Sequence, residues 1–250
     1  MSSKQPWHMD EEAFYAQTIA HWTSSAIAND DNEGVLGGWG EVDAEDARGS
    51  LEFLAQQLRG GARIEQPIKG FRALDCGAGV GRVTGNVLLH VAEQVQLVEV
   101  SDRLLVKAEK DLSAHAARIE LTQASLREFA PPPNSYDLVW AQWVLGHLTD
   151  TDVVGLLSRC RAALRPGGAV GVKDNTALPS ECDQCGNRYL LDTENAAVIR
   201  THNHMRHLYK LAGLKLVRSD VQTGFPEDLH PVRMYWLQPI ESSQGVQEEK

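Results

Sequence analysis

The stretch ALDCGAGVGRVTGNVLLHVAEQVQLVEVSD, residues 73–102, decides the fold. An apolar strand leads into Gly77-Ala78-Gly79-Val80-Gly81, where the backbone turns sharply and a ligand can approach with no Cβ in the way. Residues 80–91 then read as a helix and residues 96–100 as a second strand, with Glu99 near its carboxyl end. A carboxylate there accepts both hydroxyls of a ribose, which is how open α/β sheets hold nucleosides. The third glycine of a dinucleotide fingerprint G-x-G-x-x-G falls on Arg82, so close pyrophosphate packing lacks its usual small residue. An arginine suits a carboxylate instead, and the methionine end of S-adenosylmethionine (AdoMet) carries one. The stretch predicts an AdoMet site; the plain alternative is an ordinary strand–helix turn.

Outward from this unit the pattern alternates strand and helix, as in a parallel sheet with helices on both faces. A helix is expected over residues 102–116, strands over 119–122, 136–141 and 169–173, and a helix over 151–164, with Pro131-Pro132-Pro133-Asn134 and Arg165-Pro166-Gly167-Gly168 as turns. Residues 174–192 read as an irregular insert, residues 195–211 as a helix, and residues 214–221 and 232–237 as a carboxyl-terminal antiparallel hairpin. Upstream, helices are expected over residues 10–22 and 43–59, the second stopped by Gly60-Gly61. Residues 1–9 are expected to be flexible and 241–250 to be a disordered tail, leaving one domain over residues 10–240.

The 250 residues suffice for a substantial core, and 24 basic against 34 acidic residues give a net charge of −10. That balance argues against nucleic-acid binding, which needs a basic surface to replace counterions. It favours a basic partner, whose arrival an acidic surface accelerates. No apolar run of membrane-spanning length or secretory signal is visible, and four cysteines in this context read as reduced thiols. Cytosol or nucleus is the expected compartment.

Ligands of such sheets lie across the carboxyl ends of the strands, so residues following each strand are candidates by position. These are Gly77, Gly79 and Arg82, then Glu99, then Leu126 and Arg127 beside an adenine ring, then Gln142, Trp143 and His147, then Asp174 and Asn175. Trp143 has a plain alternative in the core, His147 in a helix cap, and the Asp174-Asn175 pair in satisfying backbone groups. Cys182-Asp183-Gln184-Cys185 followed by His202, His204 and His207 has the ligand count of a zinc site, but the gap is slightly long, and two free thiols in an exposed loop, with a reversible disulfide between them, are expected instead.

LDCGAGVGRVT, YDLVWAQWVLGHLTD, LRPGG followed by VKDN, and LGGWG upstream together resemble the protein amino-terminal methyltransferases, over roughly residues 12–240. That family methylates the α-amine of proteins beginning X-Pro-Lys or X-Pro-Arg. The resemblance implies a Rossmann-like, seven-stranded class I methyltransferase sheet over residues 71–240, with residues 10–60 as a helical extension covering the cofactor. It implies that Gly77, Arg82, Glu99, Leu126 and Gln142 hold AdoMet, with Trp22 closing over it, beside the positional candidates Gly79 and Arg127. Leu36, Gly37 and Trp39 would wall a substrate channel, while Trp143 meets the proline ring and Asn175 a backbone carbonyl.

His147 and an L-D-x-x-D pair would surround the reacting amine and accept its proton. Here that pair reads Leu191-Asp192-Thr193-Glu194-Asn195, so Asp192 is retained and Asn195 replaces the second aspartate. With an amide in place of that aspartate, either His147 carries the transfer alone or the pocket is refitted for another amine. Glu99 stands where the family has aspartate, His230 where it has tyrosine in the final loop, and the insert is longer. The acceptor is thus either a basic protein amino terminus or, in a refitted pocket, a small amine. A non-catalytic AdoMet- or peptide-binding module is the remaining alternative.

Overall fold

Strand β1 (Ile68–Cys76) is the axis of a seven-stranded sheet, with its apolar end wholly buried. The computed structural model describes residues 10–23, 31–182, 188–192 and 196–241. β1 is flanked on one side by β2 (Ala92–Glu99) and β3 (Ile119–Gln123), and on the other by β4 (Tyr136–Gln142) and β5 (Leu164–Asn175). All of these pair in parallel. β6 (Tyr189–Asp192) and β7 (Ala197–Arg200) form a separate antiparallel pair. β8 (Leu214–Val221) and β9 (Val232–Pro239) complete the order β3-β2-β1-β4-β5-β9-β8, with β9 antiparallel to β5 and β8. The chain reverses direction across the sheet between β1 and β4, and a crevice opens at that switch point.

Helices cover both faces, as expected. One face packs against α6 (Asp150–Ala163) and α7 (His202–Leu211), through residues such as Leu156, Leu157, Met205 and Leu208. Phe14 and Tyr15 of α1 (Glu11–Thr23) join this core. The other face receives Phe53 and Leu54 of α3 (Asp43–Arg59), which follows the short α2 (Asn32–Val35). It also receives Val87 and Leu88 of a π turn leading into α4 (Leu89–Val91), and Ala108 of α5 (Asp102–Asp111). Leu156 is fully buried, so truncating it to alanine costs about 2–5 kcal/mol.

Element ends follow local chemistry. Thr149 caps α6 by accepting the Asp152 N–H at 3.3 Å, so the cap is this threonine and not His147. Gly60 ends α3 in the left-handed conformation, φ 60°.

Three expectations need correction. Residues 197–200 are strand β7, not helix, and α7 begins only at His202. Ala-Val-Ile-Arg pairs with Tyr189-Leu190-Leu191-Asp192, so the insert ends in a hairpin where an irregular segment was expected. β5 also runs through Pro166 and Gly167, where a turn was expected, with a break in register against β4.

Candidate active site

Two cavities meet at the carboxyl ends of β1, β4 and β5, and Trp22, Val35, Trp143 and His147 line both. The first cavity contains Gly77, Gly79, Arg82, Glu99, Leu126, Arg127 and Gln142, bringing together every residue expected around AdoMet. The second contains Leu36, Gly37, Trp39, Asn175, Asp192 and His230, the set expected around a substrate, together with Asp174. Asn195 lies outside the described residues, as does Cys185; Cys182, expected in an exposed loop, is instead buried against Ala177 and Ile199.

The glycine turn works as the motif requires, since Gly77, Gly79 and Gly81 all have positive φ. A Cβ on Gly77 would lie 2.4 Å from Val144 Cγ2, so the protein itself occupies that space. A Cβ on Gly79 would meet nothing nearer than Val35 Cγ1 at 3.7 Å. Since both Gly79 and Val35 line the first cavity, the backbone there is bare toward a ligand.

Glu99 Oε2 accepts the Gly79 N–H at 3.1 Å and Oε1 accepts the Ser101 N–H at 2.9 Å, so each oxygen keeps lone-pair capacity. Burial pushes this carboxyl above its ordinary value, against the pull of those backbone donors. Arg82 is buried and donates through Nη1 to Asp43 (2.8 Å) and Asp46 (2.7 Å). A glycine cradle, a buried carboxylate and a buried guanidinium on one cavity fit the ribose and the amino-acid end of AdoMet.

Arg127 is placed beside the cavity but holds helix α1. Its Cζ lies 3.8 Å from the Tyr15 ring centroid, and its guanidinium pairs with Asp152 and Glu11 at 3.2 Å each. Tyr15 in turn bonds Asp152 and accepts the Thr149 N–H at 3.1 Å. This clamp sets α1, and Trp22 on it, over the first cavity.

Trp143 follows β4 in the left-handed region at φ 51°, a strained conformation for an aromatic residue, costing on the order of 1–3 kcal/mol. The turn aims its indole between the cavities. Phe225 stacks on it at 6.5 Å and the Arg82 guanidinium lies 5.3 Å from its centroid. Its Nε1–H donates to Asn175 Oδ1 at 3.1 Å.

His147 packs edge-on against Trp22, with centroids 5.2 Å apart. Its Nδ1 lies 3.2 Å from the Ala196 carbonyl, which only accepts, so Nδ1 carries the proton and Nε2 keeps a lone pair. Burial pushes His147 down to about 4, so the ring is neutral near pH 7. Asp192 acts in the opposite direction on both His147 and His21, placing its negative charge within reach of this wall. Asp174 is pushed up to about 7 by burial, opposed by Arg200 and by the Asn175 and Leu145 N–H groups.

Three contributors have no signal in the sequence. Val35 sits on the boundary of the cavities, Phe225 reaches Trp143 from the loop before β9, and Asp46 holds Arg82 from α3. A glycine motif followed by a strand acid could be read directly, but these three positions depend on how distant segments fold together. Elsewhere, His204 Nε2 lies 2.7 Å from Asp150 Oδ2 and His202 stacks on Tyr235. Among the described residues, no three His, Cys, Asp or Glu side chains group around a possible metal position, and no helix is long and apolar enough to cross a membrane.

Residues 10–238 match the family of AdoMet-dependent proline di-methyltransferases. The chain is 36% identical over 224 residues to N-terminal Xaa-Pro-Lys N-methyltransferase 1 of Xenopus tropicalis, spanning 89% of this chain and 94% of that protein. It is 36% identical over 236 residues to alpha N-terminal protein methyltransferase 1 of Schizosaccharomyces pombe, spanning 94% and 100%. A SAM-dependent methyltransferase from Leishmania major superposes with a TM-score of 0.78 at 32% identity, over 92% of this chain and 85% of that one. A phosphoethanolamine N-methyltransferase from Haemonchus contortus shares only the fold, with a TM-score of 0.67 at 17% identity, over 97% of this chain and 52% of that one. Sheet order, glycine cradle and sequence identity agree, and the chain belongs to the AdoMet-dependent proline di-methyltransferase family.

Proposed function

We propose that this N-methyltransferase modifies the α-amino group of proteins that begin X-Pro-Lys or X-Pro-Arg. The observation that carries this reading is Trp143, held in strained backbone at the boundary of the two cavities with its Nε1–H fixed on Asn175 Oδ1. Trp143 offers an aromatic face to a proline ring. Asn175, with its oxygen so engaged, presents Nδ2–H to a peptide carbonyl. Leu36, Gly37 and Trp39 form the wall along which the first residues lie, with His230 on the same cavity. Asp192 supplies negative charge for the basic third residue, consistent with the substrates in the relatives' names.

AdoMet supplies the electrophilic methyl group when bound. Glu99 receives the ribose hydroxyls, Arg82 the carboxylate, and Leu126 the adenine face, while Gln142 closes the floor. Trp22 and Trp143 present aromatic faces at the boundary, suited to a sulfonium cation.

The amine attacks only when neutral, so it loses its proton before transfer, through water in the second cavity. His147 Nε2 accepts one N–H of the neutral amine and directs its lone pair toward the boundary. Contrary to the expectation from the sequence, His147 does not carry the proton transfer: a ring held near 4 by burial does not keep a proton taken from an amine of about 7.7–8.0, so His147 orients while solvent removes the proton. Rate enhancement comes mainly from holding amine and methyl in line.

The test is incubation with AdoMet and synthetic peptides beginning Ser-Pro-Lys, Ser-Pro-Glu and acetyl-Ser-Pro-Lys, read by mass spectrometry. Methylation of the first, strongly reduced for the second and absent for the third, is expected. Equal turnover of the first two would remove Asp192 from the channel. Turnover of small amines with none on any peptide would replace the protein substrate.

A further inference from the structure

Beneath the first cavity lies a buried polar cluster that joins α3 to the strands of the nucleotide-binding core. Asp46, on α3, is fully buried. Its carboxylate accepts from Arg82 Nη1 at 2.7 Å and from Gln142 Nε2 at 2.8 and 2.9 Å, and is ion-paired with Lys173 Nζ at 2.5 Å. Lys173 is itself fully buried and also donates to the Asp46 carbonyl (3.0 Å), Ser50 Oγ (2.9 Å) and Gln222 Oε1 (2.8 Å). Gln142 Oε1 accepts the Trp140 indole N–H at 3.0 Å, so neither end of this amide is free to flip.

Formal charges cancel, with Asp43 and Asp46 against Arg82 and Lys173. A buried set of this kind persists when its members are paired and hydrogen-bonded. Burial pushes the Asp46 carboxyl upward, yet Lys173 and Arg82 outweigh it and hold the carboxyl below its ordinary range, so Asp46 is ionised. Both aspartates accept from Arg82 through the same nitrogen, Nη1. A guanidinium is planar and carries five donors, so anchoring one nitrogen and leaning the group on Trp143 sets the direction of the Nε and Nη2 donors.

We propose that Asp46 is the positioning residue of the cofactor's carboxylate site: it holds the Arg82 guanidinium so that its remaining donors face the first cavity. The inference rests on the reading of Arg82 given above. Asp46 does not touch the ligand. It acts through Arg82 and also fixes Gln142 in the cavity floor, whereas Glu99 and the glycine turn, at the ribose end, take none of their hydrogen bonds from it.

That selectivity provides the test. S-adenosylhomocysteine carries the α-carboxylate, whereas 5′-methylthioadenosine keeps adenine, ribose and thioether but lacks the amino-acid end. Affinities of both are measured by calorimetry on the full chain. Asp46→Asn is expected to weaken S-adenosylhomocysteine about thirtyfold, within the range of a hydrogen bond to a charged group, and to leave methylthioadenosine within about twofold. Because Asp46→Asn leaves the Lys173 ammonium buried beside an amide, the double variant Asp46→Asn/Lys173→Met is measured as well. It removes both charges, and the same selective loss is expected in it.

Arg82→Ala is the reference. If it abolishes the preference for S-adenosylhomocysteine while both Asp46 variants keep it, the positioning role is overturned and Arg82 stands. If Arg82→Ala keeps the preference, the reading of Arg82 fails and the inference fails with it. Equal weakening of both ligands in the Asp46 variants would mean a general structural role, which also overturns the proposal.

Discussion

The Trp143 indole N–H and the Asn175 side-chain oxygen are 3.1 Å apart, so an aromatic wall sets the orientation of its neighbouring amide. An indole nitrogen only donates, so the oxygen of Asn175 must face it and Nδ2 must face away. Replacing Trp143 by phenylalanine keeps a ring but frees the amide to turn. We expect KM for an X-Pro-Lys peptide to rise about tenfold, one neutral hydrogen bond's worth, with S-adenosylhomocysteine affinity unchanged. Steady-state kinetics with calorimetry check this, and an unchanged KM would detach Asn175 from the peptide.

Adjacent glycines should respond differently to substitution. Gly77→Ala adds a Cβ at φ 73° that collides with Val144, and should cost on the order of 2–4 kcal/mol and lower Tm. Gly79→Val places its side chain beside the open cavity, where only Val35 is near, so the fold should survive with a smaller loss. Its binding of S-adenosylhomocysteine should fall at least a hundredfold. A folded Gly79→Val chain with unaltered affinity would refute the cradle.

His147 should not define the pH profile. Burial keeps the ring neutral above about 4, so the acid limb of kcat/KM should follow the substrate amine near 7.7–8.0. His147→Gln is expected to lower kcat about tenfold, by loss of an oriented acceptor, without moving that limb. A limb displaced by a full unit in the variant would identify the histidine as the titrating group.

Asp174 makes an opposite statement about stability. Its carboxyl is held up to about 7 in the fold and returns to about 3.9 when unfolded. Between these values the folded chain binds a proton that the unfolded chain does not, so stability falls as pH rises from about 4 to about 7 and is then level. Asp174→Asn, which cannot ionise, should therefore gain relative to the parent as pH increases. Thermal melts at pH 5 and pH 8 should show the variant's Tm advantage growing, and a constant difference would contradict the shift.

Much of this was legible in the sequence because the signals are local. The glycine turn, the acid ending β2 and the alternation of strands and helices each depend on neighbours in the chain, and the first cavity gathers the residues they point to. What escaped depends on distant partners. Residues 197–200 read as the start of a helix because the amphipathic α7 follows, yet pairing with β6 takes them into a strand. Arg127 was placed near adenine by its position after β3, and it lines that cavity, but its closest partners come from α1 and α6. Asp46 has no local signature, being one acid among several at the start of a helix.

The buried ammonium of Lys173 ties three widely separated pieces of chain: α3, β5 and the segment after β8. Its bond to the Asp46 carbonyl spans 127 positions, and its bond to Gln222 spans another 49. Contacts of such separation form late, since the intervening chain must be ordered before they are rewarded. During synthesis, the glycine cradle and Glu99 leave the ribosome long before Gln222 does. The floor beneath Arg82 is therefore complete only when nearly the whole chain has been made, and a nascent or truncated chain lacking Gln222 carries the nucleotide motif without its finished foundation.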